Sequence, residues 1–297
     1  MPAPPRRVVS LVPSLTESLF DLGLGGCLVG VTDYCIYPVE GVRGLPRLGG
    51  TKNPDLAEIV DSRPDLLLAN QEENTPAAIH ALREAGIPVW LTFPQTVADT
   101  LEMLREMAVG FQSPAALASV RALEQAVDWA RAAIEPREKV RYFCPIWQDT
   151  SASPPGWWMT FNDATYCADV LALFGGENIF AGRQRRYPLA ADLGRAEAEP
   201  AGERDTRYPR VTREEVLAAG PQCILLPSEP FAYTAEHCKA LLEIFEGTPA
   251  AQAGRVQCMD GTLITWCGTR LAKAIQQLPD ILSELGDKPC AAIPDSV

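Results

Sequence analysis

The sequence predicts an α/β protein of two βα lobes joined by a single long backbone helix, with a ligand cleft between the lobes. Three observations lead there. First, short apolar runs alternate with amphipathic stretches from Arg7 to Val109, and the alternation restarts after Pro136. Second, residues 113–136 between them read SPAALASVRALEQAVDWARAAIEP, with Leu117, Val120, Leu123, Val127, Ala130 and Ile134 spaced by three and four along one helix face. Third, a helix, a Pro turn and a buried strand recur as LAEIVDSRPDLLL at 56–68 and REEVLAAGPQCIL at 213–225. The predicted division is an N-terminal lobe at 1–112, the connecting helix at 113–136 and a C-terminal lobe at 137–297. The other arrangement these patterns allow is a single sheet in which residues 113–136 are one more crossover helix.

The elements follow in order. Residues 7–12 form a strand, broken by Pro13. Ser14 and Glu17 have capping-box spacing ahead of Leu15, Leu19 and Leu22. A second strand covers 28–31. The loop after it carries Tyr34 and Tyr37, beyond a strand end where ligands bind in α/β sheets. Helices at 54–61, 75–85 and 95–109 enclose strands at 65–69 and 87–92. Ser113 suits an N-cap and Pro114 the first turn of the long helix, and Pro136 its stop. At 1.5 Å per residue, its about 22 residues reach roughly 33 Å. The second half offers strands at 139–146, 223–226 and 255–259. Its helices fall at 163–174, 212–219, 234–245 and 269–285, followed by a loose tail after Gly286. A Pro/Gly/Ser-rich loop at 147–162 holds three tryptophans, and 181–210 is a long polar connection.

Composition narrows the function. The 297 residues are 47% hydrophobic and 22% charged, with no apolar run near the roughly 18–20 residues of a membrane span. A net charge of −12 argues against nucleic acid, which asks for a basic face. Nine cysteines are scattered without a CxxC pair, unlike a zinc ribbon or a disulfide framework. Cys27, Cys144, Cys223 and Cys258 lie in or beside apolar runs, as small core residues do. The start, MPAPPRRVVSLVPS, lacks the apolar stretch of a leader. The chain as written is therefore expected in a reducing, cytoplasmic setting, and in the periplasm or outside the cell if it is a mature form. The two histidines, His80 and His237, each sit mid-helix in their own half and read as surface residues, so no metal site is assigned. No nucleophile elbow, P-loop or dinucleotide fingerprint follows a strand, and no catalytic residue is assigned.

Aromatic residues carry the functional signal. Tyr34, Tyr37, Trp147, Trp157, Trp158, Phe161, Phe231, Tyr233 and Trp266 lie in predicted loops. Each can cap the core. Converging, they would make a flat apolar wall suited to a planar macrocycle or metal chelate. Arg183, Arg185 and Arg186 either reach an anionic ligand group or form a solvated basic turn.

The stretches RVVSLVPSLTESLFDLG, VGVTDYCIYP, NPDLAEIVDSRPDLLLA, GGENIF, VTREEVLAAGPQCILL and GTRLAKAIQQL together resemble the class III substrate-binding proteins of ABC importers, and most of all the cobalamin-binding branch. The resemblance runs from residue 7 to about 278 and leaves 181–210 as an insertion. It implies two α/β lobes on one backbone helix and a non-enzymatic role in binding a corrinoid, haem or an iron–siderophore, with no intrinsic cofactor. It also implies a monomer serving an ABC permease. Tyr34 falls on a position resembling a corrinoid contact. The family's cleft tryptophans fall near Thr51 and Leu263, with Trp266 three residues from the latter. Permease docking through one glutamate per lobe maps to Glu214 and, beside Ala57, to Glu58. The full ligand-binding set is Tyr34, Tyr37, Thr51, Trp147, Trp157, Trp158, Leu263 and Trp266. The alternative is a cytoplasmic chelate-handling protein or a thiol-dependent enzyme on the same scaffold, using Cys267 or Cys35.

Overall fold

The computed structural model describes residues 3–134 and 138–283. Pro136, expected to close the long helix, and the tail after Gly286 lie outside the described residues. Among the described residues, two compact units separate: 3–128 with Trp266–Lys273, and Trp129–Thr265 with 274–283.

The first unit is built on a parallel sheet of β1 (Val8–Ser10), β2 (Leu28–Val31), β3 (Leu66–Asn70) and β4 (Val89–Thr92), in the order β2-β1-β3-β4. Every residue of β1 and β3 is buried, as expected of central strands covered on both faces. Val9, Leu11, Ile59, Leu67, Ile79 and Leu82 form one core beneath the crossover helices Leu56–Asp61 and Pro76–Glu84. Asp55 and Thr75 cap those helices by accepting the amide N–H of Glu58 and of Ala78.

The second unit repeats the plan. It contains β5 (Val140–Phe143), β6 (Trp147–Gln148), β7 (Trp158–Met159), β8 (Gly176–Asn178), β9 (Arg210–Val211), β10 (Cys223–Pro227) and β11 (Val256–Met259). The parallel sheet runs β11-β10-β5-β8, the order of the first unit read from its other edge. In each unit the helix–Pro–strand segment of the sequence repeat supplies the strand beside the unit's first strand: β3 pairs β1, and β10 pairs β5. The antiparallel ribbon β6-β7-β9 is added.

The long helix spans Pro114–Ile134, with Ser113 Oγ accepting the Ala116 N–H at 3.2 Å. Val120, Leu123 and Val127 of the predicted stripe are buried, Leu117, Ala130 and Ile134 are only half-buried, and Ala116, outside the predicted set, is buried with them. Several boundaries differ. Ser14 and Glu17 form no capping box. Val12 is the N-cap and Pro13 the first turn, which places both residues inside the helix Pro13–Asp21 and turns Glu17 into the core. The strand expected at 139–146 stops at Phe143, before Pro145. The final helix is described over Leu271–Ser283.

The 181–210 connection is ordered rather than open. Asp192, at the end of the short helix Leu189–Asp192, is fully buried. Its carboxylate accepts Arg183 Nη1 at 2.9 Å, the Arg186 N–H at 2.9 Å and the Arg210 N–H at 2.7 Å. Arg183 is thereby turned inward, and Arg185 stacks on Tyr187. Arg183 also donates Nε to Glu215 at 3.1 Å, so its charge is shared between its own loop and the helix Arg213–Ala219.

Candidate functional site

In the first unit, candidate residues collect beyond the carboxyl ends of the strands. Asp33–Pro38 leaves β2, and Arg47 holds this loop by donating to the carbonyls of Thr32 at 2.9 Å and Cys35 at 2.8 Å. Anchored so, the loop presents Tyr34 and Ile36 with 62% and 50% of their surfaces exposed, and Val39, first residue of the helix Val39–Val42, is 53% exposed beside it. Thr51 is half-buried, and its carbonyl accepts Asn74 Nδ2 at 2.9 Å.

Tyr37 and Trp266, far apart in sequence, meet edge to face at 6.0 Å. The Arg270 guanidinium lies 4.8 Å from the Tyr37 ring and 4.7 Å from the Trp266 ring, within cation–π range. Arg270 Nε donates to Glu17 Oε2 at 2.7 Å and Lys273 Nζ to Glu17 Oε1 at 2.9 Å. Gly268 makes this docking possible. Its φ of 140° suits glycine, and a Cβ there would collide with Ser18. Trp266 is buried within the unit.

In the second unit, the ends of β5 and β10 bring together an aromatic array. Trp147, on β6, meets Phe231 edge to face at 5.5 Å, and Phe231 packs on Tyr233 at 4.7 Å. The His237 ring stands edge-on to both at 5.4 Å. His237 Nδ1 accepts the Thr234 N–H at 3.1 Å, closing the first turn of the helix Ala235–Ile244. Trp147 keeps 39% of its surface exposed. Tyr233 itself is buried in the core of the unit, its hydroxyl without a hydrogen-bond partner, and burial pushes its phenol up. The Thr234-x-x-His237 spacing was the signal that His237 works locally rather than as a surface residue.

The other predicted positions lie elsewhere. Trp158, on β7, is fully buried 4.9 Å from Phe245 and belongs to the core. Trp157, its neighbour, points the other way, half-buried with Arg210 5.8 Å from its ring. Leu263 is buried in the short helix Thr262–Thr265. Glu58 and Glu214 are exposed on the corresponding helices Leu56–Asp61 and Arg213–Ala219. Backbone N–H at that helix start and the Thr212 hydroxyl hold the Glu214 carboxyl below its usual range.

Both thiols proposed for chemistry are buried. Burial pushes Cys267 up to about 12 and also raises Cys35, which accepts a hydrogen bond from the Thr16 hydroxyl and shares one with the Thr32 hydroxyl. Neither has the thiolate character a nucleophile needs at neutral pH. Among the described residues no group of three or more His, Cys, Asp or Glu is placed to hold a metal ion, and no helix is long and apolar enough to cross a membrane.

Comparison with known proteins gives a consistent family. The periplasmic binding protein family profile matches residues 8–262. The vitamin B12-binding protein of Vibrio cholerae is 26% identical over 242 residues, 80% of this chain and 74% of that protein. The protein of the same name from Pectobacterium atrosepticum is 26% identical over 293 residues, 97% of this chain and 92% of that one. In structure, the periplasmic vitamin B12-binding protein of Vibrio cholerae superposes with a TM-score of 0.74 at 22% identity, covering 97% of this chain and all of that one. A periplasmic heme-binding protein from Roseiflexus also reaches 0.74, at 20% identity over 95% of this chain and 99% of that one.

Proposed function

Because this chain belongs to the periplasmic binding protein family, whose members bind rather than transform their ligands, we propose that it captures a flat metal macrocycle, a cobalamin-type corrinoid before haem, for delivery to an ABC permease outside the cytoplasm. The observation that carries this reading is the array of Trp147, Phe231, Tyr233 and His237 beyond the carboxyl ends of β5 and β10. Rigid aromatic faces bury large area at low entropic cost, which suits a broad planar ligand. Within the first unit, Tyr34 and Ile36 expose apolar surface of their own. Vitamin B12-binding relatives matching almost the whole length favour the corrinoid over haem.

Titration with cyanocobalamin, hemin and a ferric siderophore, followed by tryptophan quenching, tests it. Saturable quenching by cyanocobalamin at micromolar concentration or below is expected. Quenching by hemin alone would move the assignment to haem, and no saturable binding of any of the three would end it. Glu58 and Glu214 are proposed to dock the permease. Reversing each to Lys is expected to leave ligand binding intact while lowering transport by membrane vesicles carrying the partner permease.

A further inference from the structure

We propose that Cys238 and Cys258 join as a disulfide when the chain folds under oxidising conditions. Cys238 lies on the helix Ala235–Ile244 and Cys258 on β11, two elements that pack on each other in the core of the second unit. Their sulfurs stand 3.0 Å apart, inside the roughly 3.5–4 Å at which non-bonded heavy atoms rest. The sulfurs must close from 3.0 Å to the bonded distance of about 2.05 Å. Cys238 is fully buried and Cys258 nearly so, so the reaction belongs to the folding chain, before the core closes.

The step balances with a disulfide-bearing oxidant, such as a periplasmic dithiol–disulfide oxidase or oxidised glutathione. One cysteine thiolate attacks the oxidant's disulfide and expels one of its sulfurs as a thiolate. The second cysteine thiolate then displaces the other. Two protons leave the cysteines, the protein sulfurs give up two electrons, and the oxidant is reduced to its dithiol. The link serves the aromatic array. It ties the helix that carries His237 to the sheet, and His237 in turn holds Phe231 and Tyr233. It also gives a role to two of the nine cysteines in a family of periplasmic proteins, where disulfides persist. The pairing stands or falls independently of which macrocycle is bound.

The test uses the whole chain, unfolded and reduced, then refolded in a mixture of oxidised and reduced glutathione. After alkylation with iodoacetamide, peptide mapping is expected to recover the Cys238 and Cys258 peptides as one cross-linked species lacking two hydrogens, separated by a reductant. Refolding with reduced glutathione alone is expected to leave both alkylatable after denaturation. The Cys258→Ser chain is expected to return Cys238 alkylated and unlinked. Recovery of both cysteines alkylated from the oxidising mixture, or of Cys238 joined to a different cysteine, overturns the proposal, and neither readout depends on the variant folding.

Discussion

Glu17→Ala is expected to cost the first unit about 3–5 kcal/mol, the usual loss when one partner of a buried ion pair is removed. Glu17 and Arg270 side chains each retain only 4% of their surface, and Arg270 Nε lies 2.7 Å from Oε2. Lys273 is the minor partner. Its side chain is 48% exposed, and such pairs contribute about 1 kcal/mol or less. Stacking on Tyr37 and Trp266 offsets part of the loss, at about 0.5–2 kcal/mol per contact, but supplies no carboxylate for the buried guanidinium. Against a typical total of about 5–15 kcal/mol, the change is large. With an m-value of about 2 kcal/mol/M, the urea midpoint of the unit's transition should fall by roughly 2 M. Replacing both partners, Glu17→Met with Arg270→Met, should recover most of that, because no charge is then left buried. Urea denaturation of the single and double variants, followed by circular dichroism, measures both shifts. A Glu17→Ala midpoint within about 0.5 M of the parent, at that slope, would refute the reasoning.

Three further outcomes are expected. Trp147→Ala or Phe231→Ala should weaken the macrocycle about tenfold, near 1.4 kcal/mol, in the same quenching titration, and an unchanged Kd for both would remove the array from the site. Asp192→Ala should open the 181–210 segment, speeding tryptic cleavage after Arg183, Arg185 and Arg186; a rate equal to the parent's would show that the buried carboxylate does not hold the loop. Burial raises the thiols of Cys27 to about 11 and of Cys223 and Cys267 to about 12, from an ordinary 9.0. Folding therefore favours their neutral forms, so their contribution is complete below pH 9 and is lost as pH rises from 9 through 11–12. The urea midpoint should fall over pH 9–11, less steeply in a Cys223→Ala, Cys267→Ala chain; equal slopes for both chains would contradict this.

Local chemistry carried much of the fold. The spacing from Leu117 to Ile134 and the Ser113-Pro114 start defined the long helix, because amphipathic period and capping are properties of neighbouring residues. The LAEIVDSRPDLLL and REEVLAAGPQCIL echo foretold that β3 and β10 occupy matching places in two similar sheets. Tyr34 was legible as an exposed aromatic because it follows a strand end directly.

What stayed hidden depended on partners remote in sequence. Ser14-x-x-Glu17 read as a cap, yet Glu17 meets Arg270 across 253 residues, and Pro13 had already taken the first turn. Trp157 and Trp158 are neighbours of one type. Only the pairing of β7 with β6 and β9 decides which faces the core. Nothing in the polar 181–210 run announces that Asp192 gathers the Arg183 and Arg210 around it. Thus residue type and period determined the elements, their order and the aromatic character of the surface. The tertiary structure alone decided which aromatics stay outside, which charges are buried and which thiols touch, since those depend on distances between segments that no local pattern records.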